Sequence, residues 1–190
     1  MRIIILAILS LVYFSCSGPG GSGSSAEIIG FQGESIPGSS AEYHYKGPKD
    51  KPSESGYSVG GQRNGTWLTY HDNGRIKTIT TYVGGQKTGP YLELSDRGQI
   101  EAKTEYQADK LHGLKSTYKF GKPQKTTPYK NGEIDGTYVE YNKDGDPQKE
   151  VNFKNGKQHG SLKYYDENGK VTLEYEYENG EKISGGITGK

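Results

Sequence analysis

The sequence predicts an all-β fold: an elongated, single-layer antiparallel sheet of tandem β-hairpin repeats of about 24 residues. Three observations carry this. Glycine recurs at a fixed interval, apolar and polar residues alternate within each interval, and tyrosine stands where an ordinary core would hold aliphatic residues. The chain has 190 residues, among them 29 Gly and 16 Tyr, and only 30% are hydrophobic. Tyr favours strands and buries its ring while its hydroxyl stays wet, which suits a thin sheet wet on both faces. Folds built on buried parallel strands need near-continuous Val, Ile and Leu runs and are excluded. With 24 basic against 23 acidic residues the net charge is +1, so no strong field points to a polyanionic partner.

Residues 1–15 read as a signal peptide: Met1 and Arg2 precede a mostly apolar stretch too short to span a bilayer, ending at the small residue Ser15. The chain is therefore expected to be exported. Its single cysteine, Cys16, stands at the cleavage point and precedes a Gly/Ser-rich run. This placement resembles bacterial lipoproteins, which implies lipid attachment at Cys16 and, with Ser17 following, the outer membrane of a diderm bacterium. The alternative is an ordinary signal cut after Ser17. Acyl chains contribute about 0.8 kcal/mol per buried methylene, so two or more anchor stably. Residues 16–41 are expected to form a flexible tether, and residues 42–59 an N-terminal strand (EYHYK) and a polar loop.

Residues 60–190 form five repeats and a partial sixth. One column holds Gly65, Gly89, Gly113, Gly136 and Gly160 as structural glycines. A second holds Gly74, Gly98, Gly121, Gly145 and Gly169, and a third Tyr82, Tyr106, Tyr129, Phe153 and Tyr177. Five residues such as TWLTY (66–70) follow the first glycine, then a polar turn, then a second strand such as RIKTITTY (75–82). The alternation reads as hairpins. Asn73-Gly74, Asp144-Gly145 and Asn168-Gly169 are expected to supply the positive φ of tight turns, as are Asn131-Gly132, Asn155-Gly156 and Asn179-Gly180 between units. Pro123, Pro128 and Pro147 fall inside second strands, where each removes a ladder donor, so bulges or frayed pairing are expected there.

The pattern G-x-x-x-G-x-[WY]-x-x-[YL], seen at Gly61, Gly65 and Trp67 and again in part at Gly156 and Gly160, resembles the MORN repeat, more narrowly its bacterial variant. The resemblance implies the trough-shaped sheet and a role as scaffold, protein-binding surface or dimerisation arm. It also brings the family's antitoxin label, which sits badly with an exported chain. The sequence departs from the pattern at Asp109 and Lys115 and is one residue short in the third unit, where local irregularity is expected.

No catalytic set emerges. His112 and His159 share a column with Asn64, Thr88 and Asp135, which marks a turn position, and Glu174, Glu176 and Glu178 alternate along a solvated strand. There is no Cys cluster, paired metal-binding His, phosphate loop or nucleophile elbow, so no metal or cofactor is implied. Near-zero charge and export argue against nucleic acid. The remaining signal is aromatic: Trp67, Tyr91 and Tyr138, with Tyr164 two positions along from Leu162, on the face opposite Tyr70. If the Tyr70 and Tyr82 columns pack together inside the trough, these four form an exposed stripe for a ligand or partner. The plainer alternative is that both columns merely cover the sheet. The expected function is a non-enzymatic, membrane-anchored module offering a Tyr-rich surface to a protein partner in the cell envelope. A cell-wall or glycan binder and an antitoxin-like immunity protein are the alternatives. A homodimer through an exposed edge at residues 174–178 is also open.

Overall fold

The computed structural model describes residues 30–188, and the expected signal peptide, Cys16 and most of the expected tether lie outside them. Sixteen strands form one antiparallel sheet: β1 (Gln32–Ser35), β2 (Ala41–Lys46), β3 (Glu54–Val59), β4 (Gln62–Tyr70), β5 (Ile76–Val83), β6 (Gln86–Leu94), β7 (Ile100–Gln107), β8 (Lys110–Leu111), β9 (Gly113–Lys119), β10 (Lys122–Lys130), β11 (Glu133–Ile134), β12 (Gly136–Tyr141), β13 (Pro147–Lys154), β14 (Lys157–Tyr165), β15 (Val171–Glu178) and β16 (Glu181–Ile187). Order in space follows order in sequence; β8 and β11 are short pieces beside the main path. The sheet does not close, and there is no helix among the described residues. The expected fold class therefore holds, and the sheet starts earlier than the repeats do. β1 lies in the expected tether and pairs with β2, and β3 occupies part of the expected loop.

Two kinds of turn alternate along the array. Between units, Gly84-Gly85, Ala108-Asp109, Asn131-Gly132, Asn155-Gly156 and Asn179-Gly180 each take positive φ at both residues, the conformation of a two-residue type I′ hairpin. Within units the turn is longer: Gly74 N–H donates to His71 O (2.8 Å), His71 N–H to Arg75 O (2.8 Å), and only Gly74, not Asn73, has positive φ. Asn73, Asp144 and Asn168 thus do not supply the left-handed residue expected of them; the glycine alone does. The third unit is one residue short because it replaces this loop with a two-residue turn, Phe120-Gly121, both at positive φ. Asp109 does not disturb its turn: its carboxylate accepts from Lys87 N–H (2.8 Å) while its own N–H donates to Lys87 O (3.0 Å).

A repeated hydrogen bond fixes each hairpin to the one before. The second residue of each type I′ turn donates to a strand carbonyl of the preceding unit: Gly85 to Arg63 (2.9 Å), Gly132 to Leu111 (2.8 Å), Gly156 to Ile134 (2.9 Å) and Gly180 to Gln158 (2.8 Å). In the first-glycine column, Gly65, Gly89 and Gly160 lie inside β4, β6 and β14, while Gly113 and Gly136 open β9 and β12. Gly65, Gly89, Gly113, Gly136 and Gly160 all have positive φ and mark bulges, so the register jumps from Thr80↔Tyr91 to Tyr82↔Lys87. The space a Cβ would fill at Gly136 is already held by Pro128 Cγ, 3.0 Å away. The prolines fall at shifts that every unit makes. Pro123 and Pro147 occupy the place of Ile76 beside the turn bulge, and Pro128 the place of Thr81 opposite the glycine bulge. The pairing tolerates the missing donors because the ladder is already interrupted there.

These shifts reassign the faces. Trp67 pairs with Thr80 and Gly65 with Tyr82, so Trp67 and Tyr82 share one face. Thr69↔Thr78 is followed by Tyr70↔Ile76, one residue consumed on β4 against two on β5. Tyr70 therefore lies on the other face and draws Ile76 with it, which corrects the expectation that the Tyr70 and Tyr82 columns pack together. Trp67 is likewise no exposed residue: it is 2% accessible, and Tyr82, Val151 and Leu162 are buried on the same face. In a one-layer sheet a side chain is covered only by neighbours on its own face, so burial this deep requires the sheet to curl around the Trp67 side. The Tyr70 face is bound by polar contacts instead, each spanning 15 residues: Ser55 to Tyr70 (3.1 Å), Thr126 to Tyr141 (3.3 Å) and Tyr165 to Glu150 (2.7 Å).

Candidate functional site

The N-terminal end of the Trp67 face is filled. The indole lies against the backbone of Gly56, donates from Nε1 to Tyr57 O (2.8 Å) and meets the edge of Phe31 at 5.4 Å. The Arg63 guanidinium lies 4.1 Å from the indole centroid and pairs with Glu54 at 2.7 Å, both side chains largely covered. His44 stacks at 6.4 Å and its Nε2 contacts Ser58 Oγ at 2.7 Å. Glu42 approaches the same nitrogen at 3.4 Å, so it cannot orient the ring from the far side as a nucleophile relay requires, and Ser58 is fully buried.

An open site lies further along the same face. Two rows of directly paired residues cross this part of the sheet, one over β12, β13 and β14 and one over β10, β12, β13 and β14. Tyr138, Val151 and Leu162 form the floor. Lys125, Glu140, Lys149 and Tyr164 form one wall, and Tyr129 and Phe153 stand along the other. All of these except Leu162 and Tyr164, which stand beside it on β14, line with Ile134, Thr127 and Gln158 a groove of about 410 Å³. The stripe opens here because the third unit puts Lys115, paired with Thr127, where the other units put Trp67, Tyr91, Tyr138 or Leu162. A lysine covers less apolar surface than an aromatic ring, and the neighbouring tyrosines are left half-exposed.

The wall is charged. The Tyr138 hydroxyl donates to Glu140 Oε1, and Lys125 Nζ stands 3.9 Å from the same oxygen. Burial first, and then the Glu140 carboxylate, hold the Tyr138 phenol well above its usual range, so it is a neutral donor at physiological pH. Lys149 Nζ lies 5.5 Å from the Tyr164 ring centroid and, among the described residues, has no carboxylate partner. The groove thus combines an aromatic and aliphatic floor with one unpaired ammonium group.

The four aromatic residues singled out in the sequence fare differently. Tyr138 lines this groove, and Tyr164 stands beside it with its ring next to Lys149. Tyr91 is half-buried, edge-on to Tyr106 at 6.2 Å, with its phenol pushed up by burial. Trp67 is core and presents no surface. Cys16 lies outside the described residues. The alternation of residues did not reveal Tyr129, Phe153, Lys125 or Lys149 as groove residues, because parity fails at each bulge. The break at Lys115 was the signal that could have found them. The edge proposed at residues 174–178 is covered on both sides, by β14 and β16.

Comparison with curated protein sequences gives no match. Among solved structures the chain is similar to one from the GtfA/B complex bound to UDP and GlcNAc, at 14% identity. That similarity covers 75% of this chain and 25% of the other, so the chain spans a quarter of that protein's length, with a TM-score of 0.22. Three segments match the family described as MORN repeat variant: residues 63–83, 134–155 and 158–179. Two of them, 134–155 and 158–179, supply most of the groove, and the unmatched stretch between the first and second holds both Asp109 and the shortened third unit. The chain is therefore a β-sheet module carrying MORN-variant repeats at three places.

Proposed function

We propose that this chain is a non-enzymatic, membrane-tethered module that presents its Trp67 face to a protein partner in the bacterial cell envelope. The groove between Tyr129, Tyr138 and Phe153 carries this reading. It is an aromatic hollow with a polar wall on a sheet too thin to enclose a reaction, the composition typical of contact patches. The reading is supported by the dispersal of titratable groups: Lys163 and Glu174 at 3.5 Å, and Lys103 and Glu105 at 3.9 Å, are solvated pairs that do not converge on a common point. Lipid attachment at Cys16 holds the module at the membrane and leaves the repeats free to reach outward.

Two experiments test this. Cys16→Ala is expected to move the full chain from the membrane fraction to the soluble fraction; unchanged partitioning overturns the anchor. Immobilised full chain is then incubated with solubilised envelope and, separately, with purified wall glycan. A defined protein retained by the wild type and lost from Tyr138→Ala and Phe153→Ala is expected. Retention of glycan with no protein partner overturns the reading in favour of a glycan binder.

A further inference from the structure

A second surface lies at the within-unit turn of the third repeat. The residue before the turn glycine is polar in the other four units, Asn73, Arg97, Asp144 and Asn168, and is Phe120 here. Phe120 adopts φ +51 and is 79% exposed. A bulky side chain in the left-handed region is strained, and this one gains almost no burial within its own chain in return. Beside it Ile100 is 45% exposed, and a hollow of about 390 Å³ is lined by Gln99, Ile100, Tyr118, Phe120 and Gly121. An adjoining hollow of about 300 Å³ has Glu101 and Lys119 on its walls. Neither of these two charges is in an ion pair among the described residues.

An apolar knob, a hollow large enough for an aromatic ring, an unpaired cation and an unpaired anion thus stand side by side on one patch. That combination is self-complementary: a two-fold axis beside the turn lets each Phe120 enter the other's hollow and each Lys119 face the other's Glu101. We propose that the Phe120 turn is a contact between two copies of this chain. The edge of a one-layer sheet offers little area, so the contact is weak and concentration-dependent. It lies at a turn edge, apart from the groove, and does not depend on the partner proposed there.

Sedimentation equilibrium of the full chain in density-matched detergent tests this. The average protein mass is expected to rise from that of one chain towards that of two as concentration increases. Phe120→Asn is the decisive variant. Asn-Gly is the turn sequence at residues 131–132, 155–156 and 179–180, each with positive φ at both positions, so the variant is expected to melt higher while staying monomeric. Lys119→Glu and Glu101→Lys are each expected to weaken association and, combined, to restore it. Carbodiimide cross-linking of mixed heavy- and light-isotope chains is expected to give a Lys119–Glu101 peptide joining the two labels. A wild type that stays monomeric throughout, or a Phe120→Asn chain that associates equally well, overturns the proposal and leaves the patch to another protein.

Discussion

The indole of Trp67 rests on the backbone of Gly56, so close that a Cβ there would clash with its Cδ2, Cγ and Cε2. No glycine-favouring φ is involved; the contact alone excludes every other residue. Gly56→Ala is expected to destabilise the chain by about 1–3 kcal/mol through overpacking, with the Trp67 fluorescence maximum shifting red. Thermal denaturation followed by fluorescence checks both. An unchanged melting temperature would show that the indole lies elsewhere.

Removing the ring itself should cost more. Trp67→Ala leaves Phe31, Tyr82 and Arg63 around a void and is expected to lose about 3–5 kcal/mol. Thr69→Ala, whose hydroxyl contacts Thr78 at 2.6 Å on a part-buried site, is expected to lose about 1 kcal/mol. Urea midpoints of the two variants give the comparison.

The bulge glycine Gly136 differs from the turn glycine Gly74 in a measurable way. Gly74 and Gly136 both have positive φ, but open space surrounds the missing Cβ of Gly74, whereas Pro128 crowds that of Gly136. Alanine at Gly74 is expected to cost about 1–2 kcal/mol, the left-handed penalty alone, and at Gly136 clearly more. Equal losses in chemical denaturation would remove the bulge from the account of why this column is glycine.

Tyr165 supplies a pH signature. Burial, with the hydrogen bond its hydroxyl gives to Glu150, pushes its phenol up to about 12 from the usual 10. The folded state therefore holds this proton more tightly than the unfolded state. Its stabilising contribution is complete below pH 10 and is lost as the pH rises through about 12. Denaturation midpoints of the wild type should fall faster across that window than those of Tyr165→Phe, with the phenolate absorbance titration of the variant losing one late-titrating group.

The repeat was legible because turn glycines and strand alternation are local chemistry. Gly84-Gly85 or Asn155-Gly156 announces a two-residue hairpin without reference to anything distant. The faces were not legible. The shift beside the within-unit turn carries no compositional mark, so counting by twos placed Tyr70 with Tyr82 and left Trp67 outside, when the register shift after Thr69 puts Trp67 and Tyr82 together. Gly56 and Arg63, which complete the indole's surroundings, lie outside or at the start of the repeat and carry no periodic signal. Of the four aromatics read from the sequence, Tyr138 lines the groove and Tyr164 stands beside it, because their strands keep the parity that Trp67 shares. Their companions Tyr129 and Phe153 belong to the column that had been assigned to the opposite face.

The claim that the Trp67 face receives the partner is tested most directly by site-specific photo-cross-linking in intact cells. A photoreactive phenylalanine replaces Tyr138 in the groove in one full-length variant and Tyr141, on the opposite face, in another. A single protein adduct from position 138, absent from position 141, is the expected result. The same adduct from both positions, or from 141 alone, would contradict it.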